Sequence, residues 1–231
     1  SMPSATGHVG FARFRIGTTL GSGGGGEVRE AIDRSLQREI AIKQLHARYA
    51  AEPEALGEFV AEARIAGQLQ HPNILPIYEL GQDQAGAPYL AMKRIRGGTL
   101  AEMIEQAIHA SERWEPATLQ PLLNAFQRVG EALAYAHKHG VLHRDIKPHN
   151  VMVGEVGEVL LTDWGLAKRL DTDGSLRSLT ATLGVAGAED EADDAAGLPA
   201  TERTMRGEVF GTPSYMSPEQ ARGEVAEIGV A

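Results

Sequence analysis

The sequence predicts an α+β fold, rich in strands with one long helix as far as residue 95 and mainly helical beyond it. Three observations lead there. Short β-type runs fall at 11–20, 28–32, 40–43, 74–80 and 89–95. One amphipathic helical pattern, Pro53 to Leu69, interrupts them, with Leu56, Phe59, Ala63, Ala66 and Leu69 recurring on one face. A second, Pro121 to His139, lies beyond Gly97-Gly98, with Leu122, Phe126, Val129 and Leu133 on its apolar face and Gly140 at its end. With 231 residues, 42% hydrophobic and 23% charged, the chain is long enough to bury a sizeable core as one domain or two lobes.

Charge and cysteine content exclude whole classes of partner. A formal charge of -9 leaves no general basic face for nucleic acid or an anionic membrane, so any phosphate site must be local. The absence of cysteine removes disulfides and thiolate metal sites and fits a reducing compartment. There is no signal peptide and no run of about 18 apolar residues, so no part of this sequence is expected to span a bilayer, and a cytoplasmic location is expected. Ser1-Met2 reads as an expression scar, and residues 1–10 as a tag or disordered terminus.

Taken in order, the first strand pattern ends at Gly21-Ser22-Gly23-Gly24-Gly25-Gly26-Glu27-Val28. Glycines without a Cβ let backbone N–H groups close over phosphates, whereas a flexible linker is the plain alternative for such a run. Val28 to Ile32 continues as a strand instead of opening a helix, which favours a strand-loop-strand lid over a dinucleotide-binding turn. Ile40-Ala41-Ile42-Lys43 puts Ala41 and Lys43 on one face of a strand, where the small side chain leaves room for a flat base and the amine reaches toward phosphates. A lone lysine there otherwise reads as an edge-strand terminus. Glu62 lies three residues after Phe59 and four before Ala66, so its carboxylate turns toward the apolar face and calls for a cation, unless it sits at the edge of the stripe.

His71-Pro72-Asn73 ends that helix, and Thr99 is a fitting N-cap for another running through Ile104, with Glu102 near its positive end. His137, His139, His143 and His149 straddle a helix end and a loop and do not read as a zinc site. Residues 143–150, His143-Arg144-Asp145-Ile146-Lys147-Pro148-His149-Asn150, gather an acid, an amine and an amide into one loop. Asp145 can accept a hydroxyl proton, Lys147 can steady a phosphoryl group and Asn150 can hold a metal ion; a turn that merely collects charges is the alternative for the octet alone. Val151-Met152-Val153 and Val159 to Thr162 then form a hairpin delivering Asp163-Trp164-Gly165.

The octet resembles the catalytic loop of protein kinases in its Ser/Thr-specific form. In the same order as in that family, the glycine run resembles its glycine-rich loop, Ile40 to Lys43 its strand lysine, and Asp163-Trp164-Gly165 its metal-binding Asp-Phe-Gly motif. Gly211 to Glu219 resembles the peptide-docking segment that closes on Ala-Pro-Glu, with Ser217 in place of alanine. Agreement of these parts from about Phe14 to Glu219 leaves coincidence negligible.

The resemblance implies a protein-kinase-like two-lobed fold: an N-lobe of antiparallel sheet plus helix over 11–92, a hinge at 93–96, and a mainly helical C-lobe over 97–231 with an activation segment at 163–219. It implies ATP in the cleft with Mg2+, or Mn2+. Leu20, Gly21, Gly23, Gly26 and Val28 would cover the nucleotide. Ala41, Met92, Lys93, Ile95 and Met152 would enclose its base, with Met92 at the back and Lys93 to Arg96 offering hinge backbone. Lys43 paired with Glu62 would position phosphates, Asp145 would be the base toward the substrate hydroxyl, Lys147 would support the transferred phosphoryl, and Asn150 and Asp163 would hold metal. Thr212 would bridge Asp145 and Lys147, His143 would pack behind the loop, and Trp164 would fill a slot under the Glu62 helix that the family gives to phenylalanine.

The implied activity is ATP-dependent phosphorylation of Ser/Thr hydroxyls on a protein substrate, with autophosphorylation. A kinase-derived nucleotide-binding or dimerisation module without catalysis is the alternative, and a small-molecule phosphotransferase is disfavoured by Lys147 and the 211–219 segment. From Leu166 to about Arg206 the composition cannot bury much surface, so a mobile activation loop is expected, with Thr180, Thr182, Thr201 and Thr204 as candidate phosphosites and Arg144 as their partner. Gly25 stands where the family often has a larger residue, which implies a looser lid. Gln220 to Ala231 are too few to complete a helical lobe, so uncovered apolar surface is expected to drive self-association, as a dimer or through exchanged activation segments.

Overall fold

β-branched and aromatic residues pair into one antiparallel sheet of five strands, ordered β1-β2-β3-β5-β4. The strands are β1 (Phe14–Ser22), β2 (Gly26–Asp33), β3 (Arg38–Leu45), β4 (Ile77–Gln82) and β5 (Pro88–Lys93). The structure, a computed structural model, describes residues 10–23, 26–50, 52–110, 115–170 and 212–223. The expectations for residues 1–9, for Gly25 and for Thr180, Thr182, Thr201 and Thr204 lie outside the described residues.

Alternation along β3 and β5 sorts side chains between two faces. Ile40, Ile42, Tyr89 and Ala91 join Phe14 and Ala31 in one buried cluster, while Leu90 packs with Phe59 and Ala63 in another. Phe59 and Ala63 belong to the helix α2 (Pro53–Gln68), which follows a single turn, α1 (Ala47–Ala50). Lys43 pairs with Leu90 in register and Ala41 with Met92, so both face the side of the sheet on which α2 lies. The first strand begins later than its sequence pattern, because Gly10–Arg13 form a 3-10 turn.

β4 also begins at Ile77, not Ile74. Ile74 forms a parallel bridge with Leu161 of a second sheet, the Leu75 N–H donates to the Leu161 carbonyl and the Leu161 N–H to that of Asn73. That second sheet has the order β6-β8-β9, with β6 (Gly97–Thr99), β8 (Val151–Gly154) and β9 (Val159–Leu161), while β7 (Val141–Leu142) pairs with β10 (Lys168–Arg169). β5 stops at Lys93, short of Ile95, and residues 94–96 link the two sheets.

The helix α3 (Leu100–Ala110) starts with a reciprocal cap: the Glu102 N–H donates to Thr99 Oγ1 at 3.2 Å and the Thr99 N–H to Glu102 Oε2 at 2.7 Å. The helix α4 (Pro116–Lys138) starts five residues before the expected Pro121, with a proline at its first turn and Pro121 tolerated on its exposed side. Its buried face also differs from expectation. Ala125, Val129, Ala132 and Ala136 are buried against the core strands, whereas Phe126 is 76% and Leu123 57% exposed. Alanines let the helix axis approach β7 and β9 closely; of the expected stripe, Val129 is buried in this cluster and the partly buried Leu133 packs against it.

The largest core cluster joins Ile65 and Ala66 of α2 and its C-cap Leu69 to this alanine face, to Val141, Val151, Val159 and Leu161, and to Trp164 and Ala167. The cleft that matters for function lies beside it. Among the described residues no helix is long and apolar enough to cross a membrane.

Candidate active site

The β3–β5 register places Lys43 above α2, and the helical period brings Glu62 to the same side one turn after Phe59. The Lys43 ammonium lies 2.7 Å from both carboxylate oxygens of Glu62. Burial alone would lower the lysine pKa, but the Glu62 charge and hydrogen bonds outweigh it and hold the ammonium above its ordinary range. Both groups line a cavity of about 840 Å³.

Gly21, Gly26 and Val28 line that cavity from β1 and β2, Gly23 from the loop between them, Met92 from β5, and Asn150, Asp163 and Trp164 from the opposite wall. Leu20, Ala41, Lys93, Ile95 and Met152 do not line it. Ala41 is buried in mid-sheet opposite Met92, and Met152 is paired between Thr99 and Leu160. The Lys93 N–H donates to the Pro76 carbonyl at 3.0 Å, and its ammonium lies 3.0 Å from Glu158. Arg94 and Arg96 are turned to Glu39, each at 2.7 Å, so the 93–96 segment is held by ion pairs with both sheets. Tyr49 of α1, Glu52 at the N-cap of α2 and Glu58 of α2 also line the cavity; the Tyr49 contribution is unforeseen because α1 is one turn long and has no readable period.

The glycine loop is fixed at its base. The Gly23 N–H donates to the Gly26 carbonyl at 2.9 Å, and His46 Nε2 donates to the Gly23 carbonyl at 3.1 Å. A Cβ at Gly26 would stand 2.4 Å from the Gln44 carbonyl oxygen, so the close approach of β2 to β3 demands glycine there.

On the opposite side, four groups converge on Asp145. The Lys147 ammonium donates to Asp145 Oδ2 at 2.7 Å and to Thr212 Oγ1 at 2.8 Å. Thr212 donates to Asp145 Oδ1 through both its hydroxyl, at 2.9 Å, and its N–H, at 3.1 Å. Asn150 Nδ2 donates to the Asp145 carbonyl at 2.9 Å and to its Oδ2 at 3.1 Å. Burial works to raise this carboxyl's pKa, but Lys147, Thr212 and Asn150 together hold it below the usual carboxylate range. The group therefore stays an anion at neutral pH.

Behind it, His143 is buried, with Nε2 donating to the Thr162 carbonyl at 3.0 Å and Nδ1 accepting from the Asp145 N–H at 3.3 Å. That pair of bonds selects the neutral Nε2–H tautomer, and burial keeps the imidazole pKa below its usual value. Its ring packs tilted against that of Trp164, with centroids 4.6 Å apart and planes at 57°. Trp164 is 2% exposed within the core cluster, and its indole N–H has no partner among the described residues. The tryptophan fits the slot, at the cost of one unsatisfied donor.

Two residues of this site, Arg144 and Asp163, carry left-handed φ values of 65° and 60°. For non-glycine residues each such conformation costs on the order of 1–2 kcal/mol and persists where its surroundings over-determine it. Arg144 Nε donates to the Leu166 carbonyl at 2.7 Å, and burial lowers its pKa to about 10.

Asn150 and Asp163 carry the donor chemistry of metal ligands. Asn150 spends its Nδ2 on Asp145, which leaves the amide oxygen as an acceptor, and the Asp163 carboxylate lines the same cavity. Among the described residues no group of three or more His, Cys, Asp or Glu side chains is arranged to hold a metal. One carboxylate and one amide oxygen suit a hard divalent cation that takes its other ligands from phosphates and water.

Comparison with known proteins identifies the family. Residues 14–190 match the protein kinase domain family. The chain is similar to serine/threonine-protein kinase PknD of Protochlamydia amoebophila, 36% identical over 223 residues, 93% of this chain and 21% of that protein. It is also similar to the probable serine/threonine-protein kinase PknB of Bifidobacterium longum, 33% identical over 99% of this chain and 29% of that protein. Serine/threonine-protein kinase PknA of Mycobacterium tuberculosis is 31% identical over 93% of this chain and 42% of its own length. The chain thus spans between 21% and 42% of the length of these curated relatives. With the α+β architecture and the matched span taken together, the chain belongs to the protein kinase family, as a catalytic domain of the bacterial serine/threonine type.

Proposed function

We propose that this domain transfers the γ-phosphoryl group of ATP to Ser and Thr hydroxyls of proteins, its own chain included. The observation that carries the proposal is the grouping of an anionic Asp145, bonded to Lys147, Thr212 and Asn150, next to a cavity that also holds the Lys43–Glu62 pair and Asp163.

Asp145 is the base: its carboxylate takes the proton of the substrate hydroxyl as that oxygen bonds to phosphorus and the bond to the departing diphosphate breaks. Lys147 lies beside the carboxylate, where its charge supports the transferred group. Lys43, kept cationic and aimed by Glu62, meets the phosphates of the nucleotide, and the glycine-loop backbone covers them. Mg2+ or Mn2+, held by Asn150 and Asp163, would supply neutralisation of phosphate charge. Thr212 ties the segment before Pro213 to the base, so an extended peptide substrate lying along 212–219 would bring its hydroxyl to Asp145. The lobe division at 93–96 agrees with the end of β5 at Lys93 and the start of β6 at Gly97. Self-association is supported by the exposed Leu123 and Phe126 on α4, and a cytoplasmic setting by the cysteine-free composition.

Incubation with radiolabelled ATP, a divalent metal and a basic protein tests this reading. Label on serine or threonine supports it. A melting temperature raised by nucleotide with no transfer identifies a nucleotide-binding module instead, and neither effect removes both readings.

A further inference from the structure

We propose that Gln220 is a positioning residue for the catalytic loop, holding the peptide unit that presents Asp145. The inference rests on the phosphotransfer reading above, and it concerns a residue outside the cavity. Gln220 lies in the short helix α5 (Pro218–Ala221), and its Nε2 donates to the Arg144 carbonyl at 2.6 Å.

The Arg144 carbonyl and the Asp145 N–H belong to one planar peptide unit. Gln220 holds the first, and His143 Nδ1 accepts from the second at 3.3 Å. The plane is therefore gripped at both edges, and its orientation sets the direction in which the Asp145 side chain leaves the backbone. The need for such a grip is visible in Arg144, whose φ of 65° is unfavourable for a residue with a Cβ. The Arg144 side chain is anchored to the Leu166 carbonyl, but that bond leaves the peptide unit itself free to rotate.

Gln220 is in turn held in place. Ser217 caps α5, its Oγ accepting from the Gln220 N–H at 3.3 Å, and the Ala221 N–H donates to the Ser217 carbonyl at 2.9 Å. The serine that departs from the family's alanine thus fixes the backbone from which the Gln220 side chain reaches the loop. Together with Thr212, this segment grips the loop at two points, the Asp145 carboxylate and the carbonyl just before it.

A carbonyl oxygen only accepts, so the contact requires a donor, and this separates positioning from packing. Gln220→Glu keeps size and shape but sets a carboxylate against the carbonyl, whereas Gln220→Ala removes the side chain. In the full chain, kcat should fall roughly tenfold in Gln220→Glu and by less in Gln220→Ala, with the KM for ATP and the melting temperature near those of the parent. A packing role would rank the isosteric glutamate closest to the parent, and that ranking overturns the proposal. Hydrogen exchange across 143–147, read by mass spectrometry, gives a readout independent of catalysis. Faster exchange in both variants supports the grip, and unchanged exchange overturns it even in a chain that transfers nothing. If the parent chain transfers nothing while both variants still exchange faster than it, the proposed activity is removed and the grip stands.

Discussion

Lys43 on β3 and Glu62 on α2 meet across the cavity wall, the ammonium 2.7 Å from both carboxylate oxygens. Neither side chain is free in water, with 26% and 13% of their side-chain surfaces exposed, so each depends on the other. Glu62→Gln should lower stability by roughly 2 kcal/mol, less than a fully buried pair because both groups keep some solvent. Thermal unfolding measures that loss. Nucleotide affinity, followed by titration calorimetry, should fall with it, and Lys43→Met combined with Glu62→Gln should cost less than the two losses added.

The glycine loop yields a contrast between its two flanks. Gly26→Ala would push a Cβ to 2.4 Å from the Gln44 carbonyl, whereas a Cβ at Gly21 meets nothing within 4 Å. The first substitution should destabilise by about 1–3 kcal/mol by prising β2 from β3. The second should be neutral or stabilise by up to about 1 kcal/mol through the unfolded chain. Urea unfolding of the two variants side by side checks the difference.

On α4 the small residues carry the packing. Ala132 is fully buried, so Ala132→Leu should overpack the helix against β9 and cost about 1–3 kcal/mol. Phe126→Ala, at a position 76% exposed, should change stability by less than about 0.5 kcal/mol. Reversed magnitudes in denaturant unfolding would restore the face carrying Leu122 and Phe126 as the buried one.

His143 makes stability depend on pH. Its folded pKa lies below the ordinary 6.5 because the ring is buried. The unfolded chain therefore binds a proton that the folded chain refuses, and stability, complete above pH 6.5, should fall as pH drops below that value toward the folded pKa, by at most about 1.4 kcal/mol per unit for this group. His143→Asn should flatten the slope between pH 6.5 and 5 while lowering stability at pH 7. Melting temperatures across that range decide it.

Much of this was legible because it obeys short-range periods. Strand alternation put Ala41 and Lys43 on one face and the helical period turned Glu62 inward, whereas the Thr212 bridge between Asp145 and Lys147 followed from the family resemblance alone. The buried stripe of α4 differs from the expected one because Leu122 and Phe126 outweigh alanines in any hydrophobicity pattern, while close contact with β7 and β9 favours the alanines; Val129 and Leu133 pack as the pattern implies. The start of β4 was misread because Ile74 is apolar and extended but pairs with Leu161 of the other sheet. The ion pairs that hold the 93–96 segment join residues dozens of positions apart, and the Gln220 contact uses a backbone carbonyl, which carries no sequence signal.

The most direct measurement compares the parent with Asp145→Asn for transfer of labelled phosphoryl to a basic protein and for nucleotide binding. Asparagine keeps the size of the side chain but cannot take the hydroxyl proton. The account predicts that transfer falls by at least about a hundredfold, the usual worth of a positioned base, while nucleotide still raises the melting temperature. Transfer undiminished in Asp145→Asn would contradict it.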